Sequence, residues 1–323
     1  MVAGSSARNR RRIPKGYESL LAATFEPPKE VIVRIRRYDP EKGRAYWKEY
    51  KVPAHRGMTV LDALIWIKEN VDSTLSMRYS CRMGVCGSCG MVINGTPALA
   101  CQTQIAAVAT PENPVITVEP LYNFPVVRDL YTDFSSFFEK HKSIMPYIIR
   151  RDPKEVDEAE REFLMYPDQH EEIYEYTLCI MCGLCYAACP VAASDPLYLG
   201  PQALAQAYRF IADVRDEAAD KRILVVDTEH GCHRCHFAAT CSAVCPKEVD
   251  PAAAIQRLRR IVFLRRLGLW RKDKGSPVAG PLEKPLRQVR AEYPKHNLLE
   301  GVDPEEQAKE PVNIDFRDEW LRE

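Results

Sequence analysis

Twelve cysteines fall into two groups along this 323-residue chain, and their spacing points to metal chemistry. The first four, Cys81, Cys86, Cys89 and Cys101, are spaced C-x4-C-x2-C-x11-C. Plant-type [2Fe–2S] sites open with the same C-x4-C-x2-C and take a fourth thiolate further on, whereas zinc motifs more often pair two C-x2-C units. Glycines at Gly84, Gly87 and Gly90 let such a loop wrap closely and turn backbone N–H groups toward sulfur. In the second group Cys179, Cys182, Cys185 and Cys189, followed by Pro190, form C-x2-C-x2-C-x3-C-P. That is the run of bacterial two-cluster ferredoxins, in which the fourth cysteine serves the other cluster. Cys232, Cys235, Cys241 and Cys245-Pro246 come much later. With Cys235 at the template's first position, Ala238 takes the second, Cys241 the third and Cys245 the fourth. A cubane left with three thiolates loses its unligated iron. The crossed reading therefore gives Cys179, Cys182, Cys185 and Cys245 to a [4Fe–4S] cluster and Cys189, Cys235 and Cys241 to a [3Fe–4S] cluster. Cys232 lies outside the template and reads as a packed small hydrophobe, a fourth ligand to the second cluster being the alternative.

The rest of the composition narrows the chemistry. Lys plus Arg and Asp plus Glu each total 45, so the formal net charge is zero, which argues against a protein built to grip a nucleic-acid backbone. Apolar residues make up 46% of the chain, enough for ordinary packed cores, yet no stretch reads as a membrane span. The chain is long and opens without an apolar signal segment, so the thiols read as metal ligands in a reducing compartment rather than cystines. The basic opening, with Arg8, Arg10, Arg11, Arg12 and Lys15, reads as a frayed, solvated tail; a short transit peptide or a lipid-binding arm is the alternative. No Ser-His-Asp set, phosphate-cradling loop or paired carboxylates appears, so substrate chemistry belongs on another chain.

Stepping outward from the cysteines, residues 30–37 (EVIVRIRR) and 45–52 alternate like strands around a turn at 39–43. Thr59 caps an apolar-periodic helix over Val60–Asn70. Residues 91–93 before Asn94-Gly95 read as a hairpin arm, and 115–119 (VITVE) as a further strand. Strands, helix, metal loop and strands are the order of a β-grasp ferredoxin. Around the second cysteine group the sequence is helical, over 155–165, 202–216 and 251–270. The expected class is α+β: a tail at residues 1–29, a β-grasp [2Fe–2S] ferredoxin domain at 30–124, and an all-α ferredoxin-like domain at 125–271. Residues 120–145 carry Asp129, Asp133, Phe134, Phe137 and Phe138 and read as the connector, with a short helix packed on both domains. A Pro- and charge-rich extension, 272–323, follows.

The stretches RYSCRMGVCGSC (78–89), CIMCGLCYAACP (179–190) and CPKEVDPAAAI (245–255), with Leu99-Ala100-Cys101 and Arg234-Cys235-His236, resemble the iron–sulfur subunit of succinate dehydrogenase and fumarate reductase. The resemblance runs from about residue 31 to about residue 263, and eleven of the twelve cysteines fall on the family's ligand pattern. It implies a three-cluster relay, with a FAD-bearing flavoprotein subunit at the [2Fe–2S] end and membrane anchor subunits with quinone at the [3Fe–4S] end. It also implies a peripheral place on the membrane, on the cytoplasmic face in a prokaryote. Quinone contacts are expected at Ser194, where many succinate dehydrogenases have Trp, at His236 beside a cluster ligand, and at Arg259. The helix ending the second domain pairs Leu258, Ile261, Val262, Leu269 and Trp270 with Arg257, Arg259, Arg260, Arg265 and Arg266, and reads as a docking element for membrane anchors. The rivals are a soluble polyferredoxin and the cluster subunit of a thiol-dependent fumarate reductase. The second would carry Cys-Cys-Gly segments, and this chain has no adjacent cysteine pair.

Overall fold

The computed structural model describes residues 27–158, 162–270 and 272. The tail before residue 27 and the extension beyond residue 272 therefore lie outside the described residues.

The strand-forming segments pair much as their alternation predicts. Strands β1 (Glu30–Asp39) and β2 (Arg44–Pro53) form an antiparallel hairpin closed by Gly43 at φ +60°. Helix α1 (Val60–Asn70) begins at Thr59 with a reciprocal capping box to Asp62, which satisfies two of the orphan amides of the first turn. Strands β3 (Gly90–Ile93) and β4 (Thr96–Leu99) flank Asn94-Gly95, both at positive φ, as a tight two-residue hairpin requires. A short helix α2 (Ile105–Val108) leads into β5 (Val115–Glu119). The sheet order is β2-β1-β5-β3-β4, with β1 and β5 parallel. Val31, Val33 and Ile35 of β1 point inward against Leu61, Leu64 and Ile67 of α1 and form one core with them.

The inward alternation of β1 continues to Arg37, a buried cation where an apolar residue is expected. Its Nε donates to Asp129 at 2.8 Å, and its terminal nitrogens donate to Asp72 at 2.9 Å, Tyr50 at 2.6 Å and Thr74 at 3.0 Å. Asp129 also accepts the amides of Tyr38 and Ser76. It sits between β6 (Val126–Arg128) and β7 (Tyr131–Thr132), so packing of the first unit runs past residue 124 into the connector.

After β7 the described elements are helices. They are α3 (Ser135–Ser143), α4 (Lys154–Asp157), α5 (Pro167–Thr177), α6 (Leu184–Ala187), α7 (Pro190–Ser194), α8 (Pro201–Ala212), α9 (Ala219–Val226), α10 (Thr240–Ala243) and α11 (Pro251–Arg266). Four expectations need correction. Among the described residues the helix expected over 155–165 is a single turn, and the long helix starts instead at Pro167, whose fixed φ suits the first helical position and disfavours helix at Tyr166. The helix expected over 202–216 stops at Ala212, because Asp213 and Asp216 capture the amides of Arg215 and Ala218 and end it. The last helix ends at Arg266 rather than Trp270, with Gly268 at φ +70° just beyond. Most of that helix's expected membrane-facing stripe is turned inward: Leu258 and Val262 are buried in the core beside α8, and Arg265 and Arg266 pair with Asp220 and Asp227. The large apolar residue it does expose is Phe263, with Leu267 and Leu269 just beyond its end.

A second buried arginine fixes the helical part. Arg222 donates to Asp216 at 2.6 Å and to the carbonyls of Ile144, Met145 and Tyr147, holding the chain that follows α3 against α9.

Removing Asp129 leaves the Arg37 charge buried without its main partner, so Asp129→Ala should cost about 3–5 kcal/mol in denaturant unfolding. Asp72 supplies a pH signature. Its burial works against the charged form, but hydrogen bonds from Lys48, Thr74, Tyr50 and Arg37 outweigh this and hold the carboxyl well below its usual range. A depressed folded value means that the contribution is complete above the unfolded value of about 4 and fades as pH falls below it. Between about pH 6 and about pH 3, wild-type protein should lose more stability than Asp72→Asn, which a thermal melt series measures.

Candidate iron–sulfur sites

The loop joining Tyr79 to β3 carries Cys81, Cys86 and Cys89, and Cys101 follows β4. Its backbone is wound inward. The amides of Met83, Val85 and Cys86 approach Cys81 Sγ at 3.4, 3.3 and 3.2 Å, and the Cys81 amide approaches Cys86 Sγ at 3.4 Å. Those amides, from Met83 foremost, push the Cys81 thiol down to about 6, so it is poised as a thiolate. Cys89 is buried, and desolvation pushes it up to about 12.

Seven of the remaining eight thiols line two cavities. One is bounded by Cys179, Cys182, Cys185 and Cys245, with Gln202, Pro246 and Pro251. The other is bounded by Cys189, Cys235 and Cys241, with Pro190, Tyr198 and Ala238. Cys232 lines neither; it is fully buried among apolar neighbours, and its carbonyl accepts from Arg259. Several non-glycine residues in these loops hold left-handed backbone, namely Arg82, Met181, Phe237, Ala239 and Glu248. Such conformations cost free energy and persist where surrounding structure over-determines them. Here they turn amides toward sulfur: Phe237 N lies 3.3 Å from Cys235 Sγ, and the amides of Lys247, Glu248 and Val249 face Cys245.

None of the twelve cysteines is joined in a disulfide. Among the described residues no group of three or more His, Cys, Asp or Glu side chains is arranged to hold a single metal ion. Burial pushes Cys182 up to about 12, Cys241 up to about 11, and Cys185 well above the ordinary thiol value. A cationic inorganic core reverses that preference, and binding it releases the thiol protons. Two buried polar atoms at these cavities, Gln202 Oε1 and Tyr198 Oη, have no hydrogen-bond partner among the described residues. Buried polar atoms are normally paired, so a sulfur-rich occupant with acceptor capacity fits beside the Tyr198 hydroxyl, the donor of the two. The residues present fit iron–sulfur clusters.

The two cysteine regions meet backbone to backbone. A Cβ on Gly87, where φ is +74°, would stand 2.8 Å from Cys182 Cβ, and one on Gly90 would stand 3.2 Å from the Cys182 carbonyl. A Cβ on Gly183 would strike the stacked rings of Phe124 and Phe134 at 2.9 Å. The connector completes this seam. Asn123 Nδ2 donates to the carbonyls of Tyr186, Ala187 and Cys189, Phe137 packs on Tyr186, and Arg78 lies over Phe134.

The three positions expected to meet quinone fare differently. Ser194 is exposed at the end of α7, and its hydroxyl donates to the Val191 carbonyl at 3.2 Å. His236 is exposed beside Cys235, on the rim of the three-thiol cavity. Arg259 is already engaged: it donates to the carbonyls of Cys232 at 2.9 Å and His233 at 2.8 Å, and also to that of Cys235. It anchors the turn that presents Cys235. Sequence reasoning missed Asp195, which accepts from His230 at 2.8 Å, Arg234 at 3.1 Å and the Leu197 amide at 3.0 Å, and so shapes the turn after α7. Its signal was the Asp-Pro pair, a common turn opener.

A sheet-bearing unit with one four-cysteine loop, followed by helices around two thiol-lined cavities, defines an iron–sulfur electron-transfer protein. Residues 32–139 match the 2Fe-2S iron-sulfur cluster binding domain, and residues 175–249 match the 4Fe-4S dicluster domain. The fumarate reductase iron-sulfur subunits of Mycobacterium tuberculosis and Haemophilus influenzae are 44% and 40% identical to this chain. Those matches cover 71% and 70% of this chain and 91% and 90% of the relatives. A chain of the Mycobacterium smegmatis Sdh1 complex in the apo form is similar at a TM-score of 0.64 and 28% identity, over 74% of this chain and 98% of that one. The chain belongs to the family of iron–sulfur subunits of fumarate reductase and succinate dehydrogenase.

The glycine seam is directly testable. Gly87→Ala must adopt a strained backbone and displace Cys182, costing about 1–3 kcal/mol, whereas Gly43→Ala meets nothing within 4 Å despite its φ of +60°. Thermal melts and iron per chain should fall for the first and change much less for the second.

Proposed function

We propose that the chain conducts electrons between the FAD of a flavoprotein subunit and quinone held with membrane anchor subunits, in a succinate dehydrogenase or fumarate reductase complex. The observation that carries this reading is the sorting of seven thiols into one cavity of four and one of three, in the crossed order that the two-cluster template requires. Cys81, Cys86, Cys89 and Cys101 would hold [2Fe–2S]; Cys179, Cys182, Cys185 and Cys245, [4Fe–4S]; and Cys189, Cys235 and Cys241, [3Fe–4S]. When bound, such clusters supply one-electron steps with little rearrangement, which suits a link between two-electron flavin and two-electron quinone.

The chain's own residues do the rest. Their thiolates bind, inward-turned amides stabilise negative charge on sulfur, and buried aromatic rings at the seam exclude water. We read the N-terminal unit as a β-grasp [2Fe–2S] domain, its packing extended into the connector by Asp129, and the region from Ser135 to Arg266 as an all-α ferredoxin unit. Exposed Met83 and Val85 on the first cysteine loop suit a flavoprotein neighbour. Exposed Leu197, Phe237 and His236 near the three-thiol cavity suit an anchor subunit and quinone. Among the described residues no helix is long and apolar enough to cross a membrane, so attachment would be peripheral, on the cytoplasmic face of a prokaryote.

Cysteine exchange tests the assignment. In the purified complex, Cys189→Ser should abolish or convert the three-iron signal and spare the [4Fe–4S] signal, and Cys245→Ser should do the reverse. An uncrossed site would give the opposite pairing, read by low-temperature electron paramagnetic resonance. Cys232→Ala should leave both signals in place. Recovery of the native chain as a free monomer, with no flavoprotein or membrane partner, would instead favour the soluble polyferredoxin.

A further inference from the structure

We propose that the Tyr198 hydroxyl donates a hydrogen bond to the sulfur shell of the cluster held by Cys189, Cys235 and Cys241, and thereby raises its reduction potential. This rests on reading that cavity as a cluster site. Tyr198 is 0% exposed and lines the cavity together with the three thiols. Its oxygen is buried and completes no full hydrogen bond with a protein group; the side chain it faces is Cys235, and Cys189 and Cys241 also act on it.

The other four buried tyrosines all find protein partners. Tyr50 donates to Asp72, Tyr208 donates to Glu172, Tyr186 accepts from Lys140 and Tyr176 accepts from Arg257. Tyr198 is the exception, and it lines the cavity of Cys189, Cys235 and Cys241. A buried hydroxyl left unpaired is costly, so its persistence at this wall calls for a partner.

The ring has little freedom to turn away. The Tyr198 amide donates to the Asp195 carbonyl at 3.2 Å, and the neighbouring Leu199 amide donates to the His230 carbonyl at 2.9 Å. Asp195 is itself clamped by His230 and Arg234. A phenol is ordinarily protonated across the neutral range, so the hydroxyl can donate. The chemistry is a one-electron uptake in which no bond of the chain breaks. The added negative charge is spread over sulfur, and a donor aimed at that sulfur stabilises the reduced form more than the oxidised one.

The test is Tyr198→Phe in the intact, membrane-extracted complex, which keeps the ring and removes one oxygen. Redox titration of the three-iron resonance should show the reduction equilibrium weakened about tenfold, a downward shift of about 59 mV for one electron. The other two clusters should not move, and Tyr208→Phe, which loses a hydroxyl bonded elsewhere, should leave the three-iron midpoint unchanged. A three-iron signal present in both proteins at the same midpoint would overturn the role of Tyr198. Absence of any three-iron signal in the wild type would overturn the cluster reading instead. If the variant assembles poorly, pulsed resonance on unmodified protein decides. An exchangeable proton coupled to the cluster, lost on transfer to heavy water, supports the donor, and its absence refutes it.

Discussion

Two cysteine loops from different parts of the chain lie almost in contact, and the rest of the structure depends on that approach. It is made by main chain rather than side chain. Gly87 and Gly90 bring the first loop onto the backbone around Cys182, and Gly183 lets the same segment settle on the Phe124 and Phe134 rings. A side chain at any of the three would act as a spacer. The aromatic cluster and Asn123 then hold the seam from outside, tying the connector to the carbonyls that end the C-x2-C-x2-C-x3-C run. The first domain is not tethered by a flexible linker; the linker is part of the wall.

Three arginines hold backbone in place at the points that this approach loads. Arg37 joins β1, α1's C-terminal turn and the connector through Asp72 and Asp129. Arg222 joins the chain after α3 to the start of α9 through Asp216 and three carbonyls. Arg259 reaches from α11 to three carbonyls around Cys235. A planar guanidinium with five donors can satisfy several acceptors that no helix or sheet has paired, which suits irregular loops wound around a metal site. The helical region buries much of its polar backbone this way, because cluster loops have no ladder of their own.

The metal-binding pattern was legible in the sequence, since ligand spacing is local and each thiol must sit in a fixed loop. Thr59 as a helix cap and Asn94 with Gly95 as a turn were legible for the same reason, their physics lying within a few residues. What escaped was decided at long range. Arg37 sits in register with apolar neighbours, and nothing nearby announces that Asp129, 92 positions away, neutralises it. Arg259 has the look of a surface cation on a basic helix until the Cys232–Arg234 turn folds beneath it. The outward reading of Leu258 and Val262 failed similarly, because an amphipathic stripe has the same period whether it covers a core or a bilayer.

The two cavities also differ in what faces them. The four-thiol cavity is bordered by the Gln202 amide, which meets His141 at 3.1 Å through Nε2 and leaves Oε1 buried and unpaired. An amide can turn over, so that one end serves the imidazole and the other serves sulfur. The three-thiol cavity has a phenol, which is fixed by its ring and offers a single O–H. Potentials of iron–sulfur centres follow cluster type, donors to sulfur and exposure. Two neighbouring sites built from the same residue type, cysteine, in the same kind of loop can thus be set apart by one missing ligand at Ala238 and one polar side chain each.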